Sequence, residues 1–439
     1  MATILERYHR KFRKSGELYE QGKTLIPGGG HQSRLVRPYP VYAERGQGAL
    51  KWDVDGNELV DYMMGFGALL LGHAHPKINE AISRRLSQGT HMGTVTPLEL
   101  RWAELVTNLV PSAERVRFTA SGTEATLLAL RLARTYTGKT KVVKFKEHFH
   151  GWQDYLSPQS GINTQSGIPQ ETLSTVVVLE PEIPALEQLL SRDQDIAAVI
   201  LEPTGAHWGQ FPLPNPGFLQ ELREVTAKHG VVMIMDEVIT GFRVSRGGAQ
   251  GRFQVRPDLT TMAKIVAGGL PGGAVAGGAE IMELMASEDE SRRLAHPGTY
   301  NGNPLSAAAG IACLELVASE PVNERADAMA ERLKRGLEDT LIRMEVAGHV
   351  HGIASLVHVV LGVECECGGD ICTLTHSELA EATASERIEP LKLAMLNEGV
   401  DMMGGIGFMV SAVHREEEID RTVEAFERAL AALREDGVV

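Results

Sequence analysis

The chain has 439 residues, of which 43 % are hydrophobic and 23 % charged. That balance excludes a disordered or fibrous chain, and at roughly 150 residues per domain the length suits two or three units. Lys and Arg number 43 against 57 Asp and Glu, a net charge of −14; such a chain repels phosphates, which excludes a general nucleic-acid binder. Four cysteines are too few for a disulfide scaffold and suit a reducing cytoplasm.

Residues 1–23 are charged throughout and lack an apolar core, so they read as an amphipathic helix rather than a secretory signal. No stretch approaches the roughly 18 apolar residues that a membrane helix needs, so no membrane partner is expected. Residues 41–62 read as short strands with a turn at Asp55-Gly56-Asn57, and a helical pattern follows Pro76. From about residue 115, Val- and Ile-rich runs at 116–118, 141–145, 176–179, 197–201 and 231–235 alternate with helical patterns, among them 123–134 and 217–229. This rhythm predicts βαβ units and a mostly parallel sheet covered on both faces. After about residue 300 come long helical patterns at 305–319 and 322–344, alternating stretches, and a last helix at 416–434, the pattern of a smaller α+β domain. The expected division is an N-terminal segment 1–60, a large domain 61–300 and a small domain 301–439.

Ligands of an open α/β sheet gather at the carboxyl ends of its strands. Behind the run at 116–118 stand Ser121, Gly122 and Thr123 at a helix start, where free N–H groups, hydroxyls and the dipole favour a phosphate. A capping box of Ser121 and Glu124 explains the same residues. Behind the run at 231–235 stands Asp236, an acid costly to bury without a cationic partner; capping of the next element is the plainer explanation. Lys264 lies between Met262-Ala263 and Ile265-Val266, where desolvation would make it a nucleophilic amine, although a lysine can also snorkel from a strand end. Taken together, phosphate cup, acid and desolvated amine match pyridoxal 5'-phosphate (PLP). Its aldehyde takes a Lys, its ring nitrogen an Asp and its phosphate a helix N-terminus.

Asp53-Val54-Asp55-Gly56-Asn57, Gly72-His73-Ala74-His75-Pro76, Ser121-Gly122-Thr123-Glu124-Ala125, Phe149-His150-Gly151, Asp236-Glu237-Val238, Lys264 with its following glycines, and Gly298-Thr299-Tyr300-Asn301-Gly302-Asn303-Pro304 carry a resemblance. In this order they resemble the class III aminotransferases of fold type I, in the branch containing glutamate-1-semialdehyde aminomutase. The resemblance implies a large domain with a mostly parallel sheet of the seven-stranded type and a small α+β C-terminal domain. It also implies a cytoplasmic homodimer in which Thr299 reaches the phosphate in the neighbouring subunit. Phe149 and Val238 would flank the cofactor ring, with His150 and Glu202 among its surroundings and Lys264 and Asp236 catalytic.

The aminomutases carry a glutamate in the strand before the last helix, whereas residues 402–408 here, Met402 to Phe408, hold no acid. The chain looks closer to D-phenylglycine and β-amino-acid aminotransferases, through Gly65 to His73, Phe149 to Trp152, His207 and Leu270 to Gly273. An arginine that some of these relatives carry near Gly405 is absent, so either the substrate differs or the carboxylate is held elsewhere; Arg34 and Arg37 are the candidates, although solvated loop arginines explain them too. Phe66, Trp152, His207 and Met403 are the expected lining of a partly apolar substrate pocket, although core packing also explains Met403. The expected reaction is ping-pong transfer, through a Schiff base at Lys264, of an amino group from an aromatic, D- or β-type amino acid, or an amine, to a 2-oxo acid. Intramolecular transfer of the aminomutase type is the alternative. A nicotinamide dehydrogenase would need a G-x-G-x-x-G turn after its first strand, which is missing. Cys365, Cys367, Cys372 and His376 have spacing that could hold zinc, but two glycines and acidic neighbours read as a solvated surface loop over 364–376. His73 and His75 read as a turn into a helix. No metal is expected.

Overall fold

The computed structural model describes residues 2–30, 36–161, 164–365, 372, 374–382 and 385–439. The chain forms two compact units, Met1–His75 with Glu324–Val439, and Pro76–Asn323. Before Pro76 lie strands β1 (Ala43–Gln47), β2 (Leu50–Asp53) and β3 (Glu58–Asp61). The continuous unit holds β4 (Arg115–Thr119), β5 (Lys141–Phe145), β6 (Val176–Leu179), β7 (Ile196–Leu201), a two-residue β8 (Phe211–Pro212), β9 (Val232–Asp236), β10 (Leu259–Ala263) and β11 (Gly273–Gly277). After residue 324 come β12 (Gly348–Ile353), β13 (Leu356–Leu361), β14 (Val400–Asp401) and β15 (Gly407–Met409).

The continuous unit is built on a seven-stranded sheet of order β4-β11-β10-β9-β7-β5-β6. Pairs β10/β9, β9/β7, β7/β5 and β5/β6 are parallel, while β11 runs antiparallel to both β10 and β4. Strands buried on both faces need unbroken apolar sequence, and Ile-Ala-Ala-Val-Ile-Leu of β7 is buried at all six positions. Helix Gly122–Thr137 presents Ala125, Leu128, Ala129, Leu132 and Ala133 at helical spacing into one core layer with Ala198, Ile234 and Val275. Each fully buried leucine contributes about 1.5–3 kcal/mol. Phe145, Leu186, Phe218, Leu222 and Met233 fill a second layer.

The split unit joins the two ends of the chain. β14 lies parallel to β3 in a four-stranded sheet of order β1-β2-β3-β14, with Val400 opposite Val60. Tyr8, Phe12 and Leu59 share one core with Leu337, Leu391 and Phe426. The N-terminal segment is therefore not a separate piece: the sequence boundaries at 60 and 300 give way to 75/76 and 323/324, because the first strands complete a sheet with β14. β12, β13 and β15 form a second, antiparallel sheet. No single helix among the described residues is long and apolar enough to cross a membrane.

Candidate active site

Except for β11, the strands of the large sheet point the same way, so their carboxyl ends share one edge. Ser121 follows β4, His150 follows β5, Glu202 follows β7, Asp236 ends β9 and Lys264 follows β10. Ser121 is the N-cap of helix Gly122–Thr137, and its Oγ accepts the N–H of Glu124 at 3.2 Å. The capping explanation is thus realised, while the N–H groups of Gly122 and Thr123 have no acceptor within the helix. A Cβ on Gly122 would lie 3.1 Å from Val238 Cγ2 and 3.3 Å from Ala263 Cβ. The helix start is thereby held against Val238, two residues after Asp236, and against the residue preceding Lys264.

Asp236 is 5 % exposed. Its Oδ2 pairs with His150 Nδ1 at 2.7 Å; its Oδ1 accepts the Val238 N–H and the Thr261 hydroxyl, each at 3.1 Å. The parallel register of β9 and β10 puts Thr261 opposite Asp236. Burial keeps the His150 imidazole below its usual range, against the pull of Asp236. Its buried Nε2 has no partner among the described residues.

Lys264 is half-buried and adopts a left-handed backbone, φ 57°. Desolvation brings its amine down to about 8; Asp236 and Glu202 oppose the shift, and the buried Arg243 reinforces it. Glu202 accepts the N–H groups of Phe149 (2.8 Å), His207 (3.1 Å) and Trp208 (2.9 Å). Burial nevertheless lifts its carboxyl to about 7. Burial also lowers His207 to about 4. These residues fit PLP: an amine held near neutrality, a buried carboxylate ringed by donors, and a capped helix start packed against both.

The remaining expected site residues are divided between the two units. Trp152 is 77 % exposed, in the stretch after Gly151. Thr299 is exposed in the turn before helix Pro304–Ser319, where its carbonyl accepts His91 Nε2 at 2.5 Å. Phe66 and Met403 belong to the split unit. Phe66 is half-buried on a left-handed turn, and Met403 is 9 % exposed and bonded to the Gly407 carbonyl. Arg37 is exposed, 3.7 Å from Glu389, and Arg34 lies outside the described residues. Sequence reasoning missed Thr261 and Arg243. Thr261 was discoverable from its place three residues before Lys264 in a strand, whereas nothing in the sequence marks Arg243 as buried.

A family model described as Aminotransferase class-III matches residues 31–430. The chain is 38 % identical to the glutamate-1-semialdehyde 2,1-aminomutase of Methanothrix thermoacetophila, over 94 % of this chain and 95 % of that protein. It superposes on an omega-transaminase from Sphaerobacter thermophilus with a TM-score of 0.86 at 34 % identity, covering 96 % and 98 % of the two chains. A transaminase with PLP bound superposes equally well, TM-score 0.86 at 32 % identity, covering 98 % and 99 %.

Proposed function

Because the chain belongs to the class-III aminotransferases, PLP-dependent enzymes of fold type I, we propose that it moves an amino group from an amino acid of aromatic, D- or β-type, or an amine, to a separate 2-oxo acid. The observation that carries the amino-transfer chemistry is the convergence of a desolvated Lys264 amine with the buried Asp236 carboxylate at one sheet edge. Bound PLP supplies an electron sink for the pair left when a proton leaves the substrate carbon. Lys264 Nζ would hold its aldehyde and, once released, take and return that proton; an amine near 8 is partly neutral at neutral pH, as a base must be. Asp236, oriented by His150, Thr261 and the Val238 N–H, would keep the ring nitrogen protonated. Ser121, Gly122 and Thr123 would hold the phosphate, with Thr299 of a second copy, and Phe149 and Val238 would flank the ring. Glu202 would fix the Phe149 and His207 backbones. Phe66, Trp152, His207 and Met403 remain the proposed substrate contacts, with Arg34 or Arg37 for a carboxylate.

Intermolecular transfer is preferred because residues 402–408 offer no carboxylate: Met402, Ile406 and Phe408 are buried and apolar. The 38 % identity to a glutamate-1-semialdehyde 2,1-aminomutase favours the second reading, intramolecular transfer, and weighs more than any one structural likeness. Acceptor dependence separates the two. Purified holoenzyme is given aromatic D-amino acids, β-amino acids and glutamate-1-semialdehyde, each with and without a 2-oxo acid. The first reading expects turnover of an amino acid only with the acceptor. Isomerisation of the semialdehyde without any acceptor would install the second reading in its place.

A further inference from the structure

Outside the PLP site, the split unit gathers a set of sulfur and imidazole donors. His349 and His351 are two apart on β12, so both side chains leave the same face of the strand. They are 2 % and 1 % exposed, and Cys372 is 3 % exposed. One ligand atom from each of His349, His351 and Cys372 lies within 4.8 Å of the other two. Cys365 Sγ stands 3.8 Å from Cys372 Sγ, and neither is in a disulfide. The expected solvated turn is therefore wrong at Cys372, which is buried; Cys367 lies outside the described residues.

His349 provides an independent indication. Its Nδ1 is 3.2 Å from the Val363 carbonyl, to which it donates in the neutral form. Its Nε2 is buried without a partner among the described residues. A metal-binding imidazole is usually held in this way, one nitrogen donating to a carbonyl so that the other presents its lone pair to the ion. Two nitrogens and one sulfur, with no carboxylate, select a borderline or soft ion over magnesium or calcium.

We propose that His349, His351 and Cys372 bind a zinc ion that ties Cys372 to β12, with the fourth position of the tetrahedron filled by water. The site is separate from the PLP chemistry and stands whether or not the proposed reaction is correct. Cobalt(II) reports it directly, since its intense tetrahedral d–d bands fall in the red, clear of cofactor absorption. Reduced, full-length holoenzyme is stripped with chelating resin and titrated with cobalt(II). The bands should saturate at one ion per chain and be bleached by one equivalent of zinc. Cys372→Ser should weaken cobalt binding at least tenfold, whereas Cys313→Ser, whose sulfur is buried in the other unit, should bind as the wild type does. A wild-type titration showing only weak octahedral absorption, or no saturation near one ion, overturns the proposal even if Cys372→Ser fails to fold. Unchanged binding in a folded Cys372→Ser also overturns it.

Discussion

At Lys264, desolvation competes with the attraction of Asp236 and Glu202, and desolvation prevails, leaving the amine near 8 rather than the ordinary 10.5. Between those two values the unfolded chain binds more protons than the folded one, so this residue's contribution to stability rises with pH across the window. Below about 8 its full penalty applies, on the order of 3 kcal/mol. Lys264→Met, without cofactor, should therefore be more stable than the cofactor-free wild type at pH 7, with the gap closing as pH rises past 10; parallel urea titrations at the two pH values measure this. Equal stability at pH 7 would mean that the amine is not desolvated. Asp236→Ala removes the acceptor of three hydrogen bonds and leaves His150 Nδ1 unpaired. Leaving a buried donor without its acceptor costs about 1–3 kcal/mol. Cofactor should dissociate more readily, and turnover should fall at least tenfold, seen by dialysis and steady-state rates. Near-normal activity would take Asp236 out of the chemistry. Lys264 and Asp236 were legible in sequence because a charged residue beside unbroken apolar runs is conspicuous. Arg243 stands among ordinary loop residues, and its burial depends on tertiary packing alone.

The turn after β10 is set by the backbone as much as by side chains. Gly268 has φ +61°, and a Cβ there would meet the Ala309 carbonyl oxygen at 2.5 Å. Gly268→Ala combines left-handed strain with a backbone clash, so it should cost about 2–4 kcal/mol and lower the melting temperature. The same change should displace Lys264, whose carbonyl is bonded to the next residue, Gly269; the cofactor-loaded fraction is the second readout. Unchanged melting and loading would show that helix Pro304–Ser319 yields easily. Most parallel strands were legible to within a residue, since burial on both faces demands Val- and Ile-rich runs. β11 was not. Gly-Ala-Val-Ala-Gly resembles loop sequence, and only close packing explains its small residues: a Cβ on Gly273 would lie 2.6 Å from the Ser121 carbonyl oxygen.

Over the whole molecule, the α/β class and the smaller α+β part were legible from the change in rhythm near residue 300. The pairing of β3 with β14 was not, because nothing local announces a partner 340 positions away. The exposed Thr299 turn suits the proposed homodimer. Native mass should correspond to two chains, and Thr299→Ala should weaken cofactor retention with the dimer intact. A monomer that holds its cofactor firmly would remove Thr299 from the phosphate site. The account as a whole depends on where PLP is attached. Borohydride reduction of the holoenzyme, followed by proteolysis and peptide mass mapping, should place one pyridoxyl adduct on Lys264. An adduct on any other residue, or none at all, would contradict the assignment of this site.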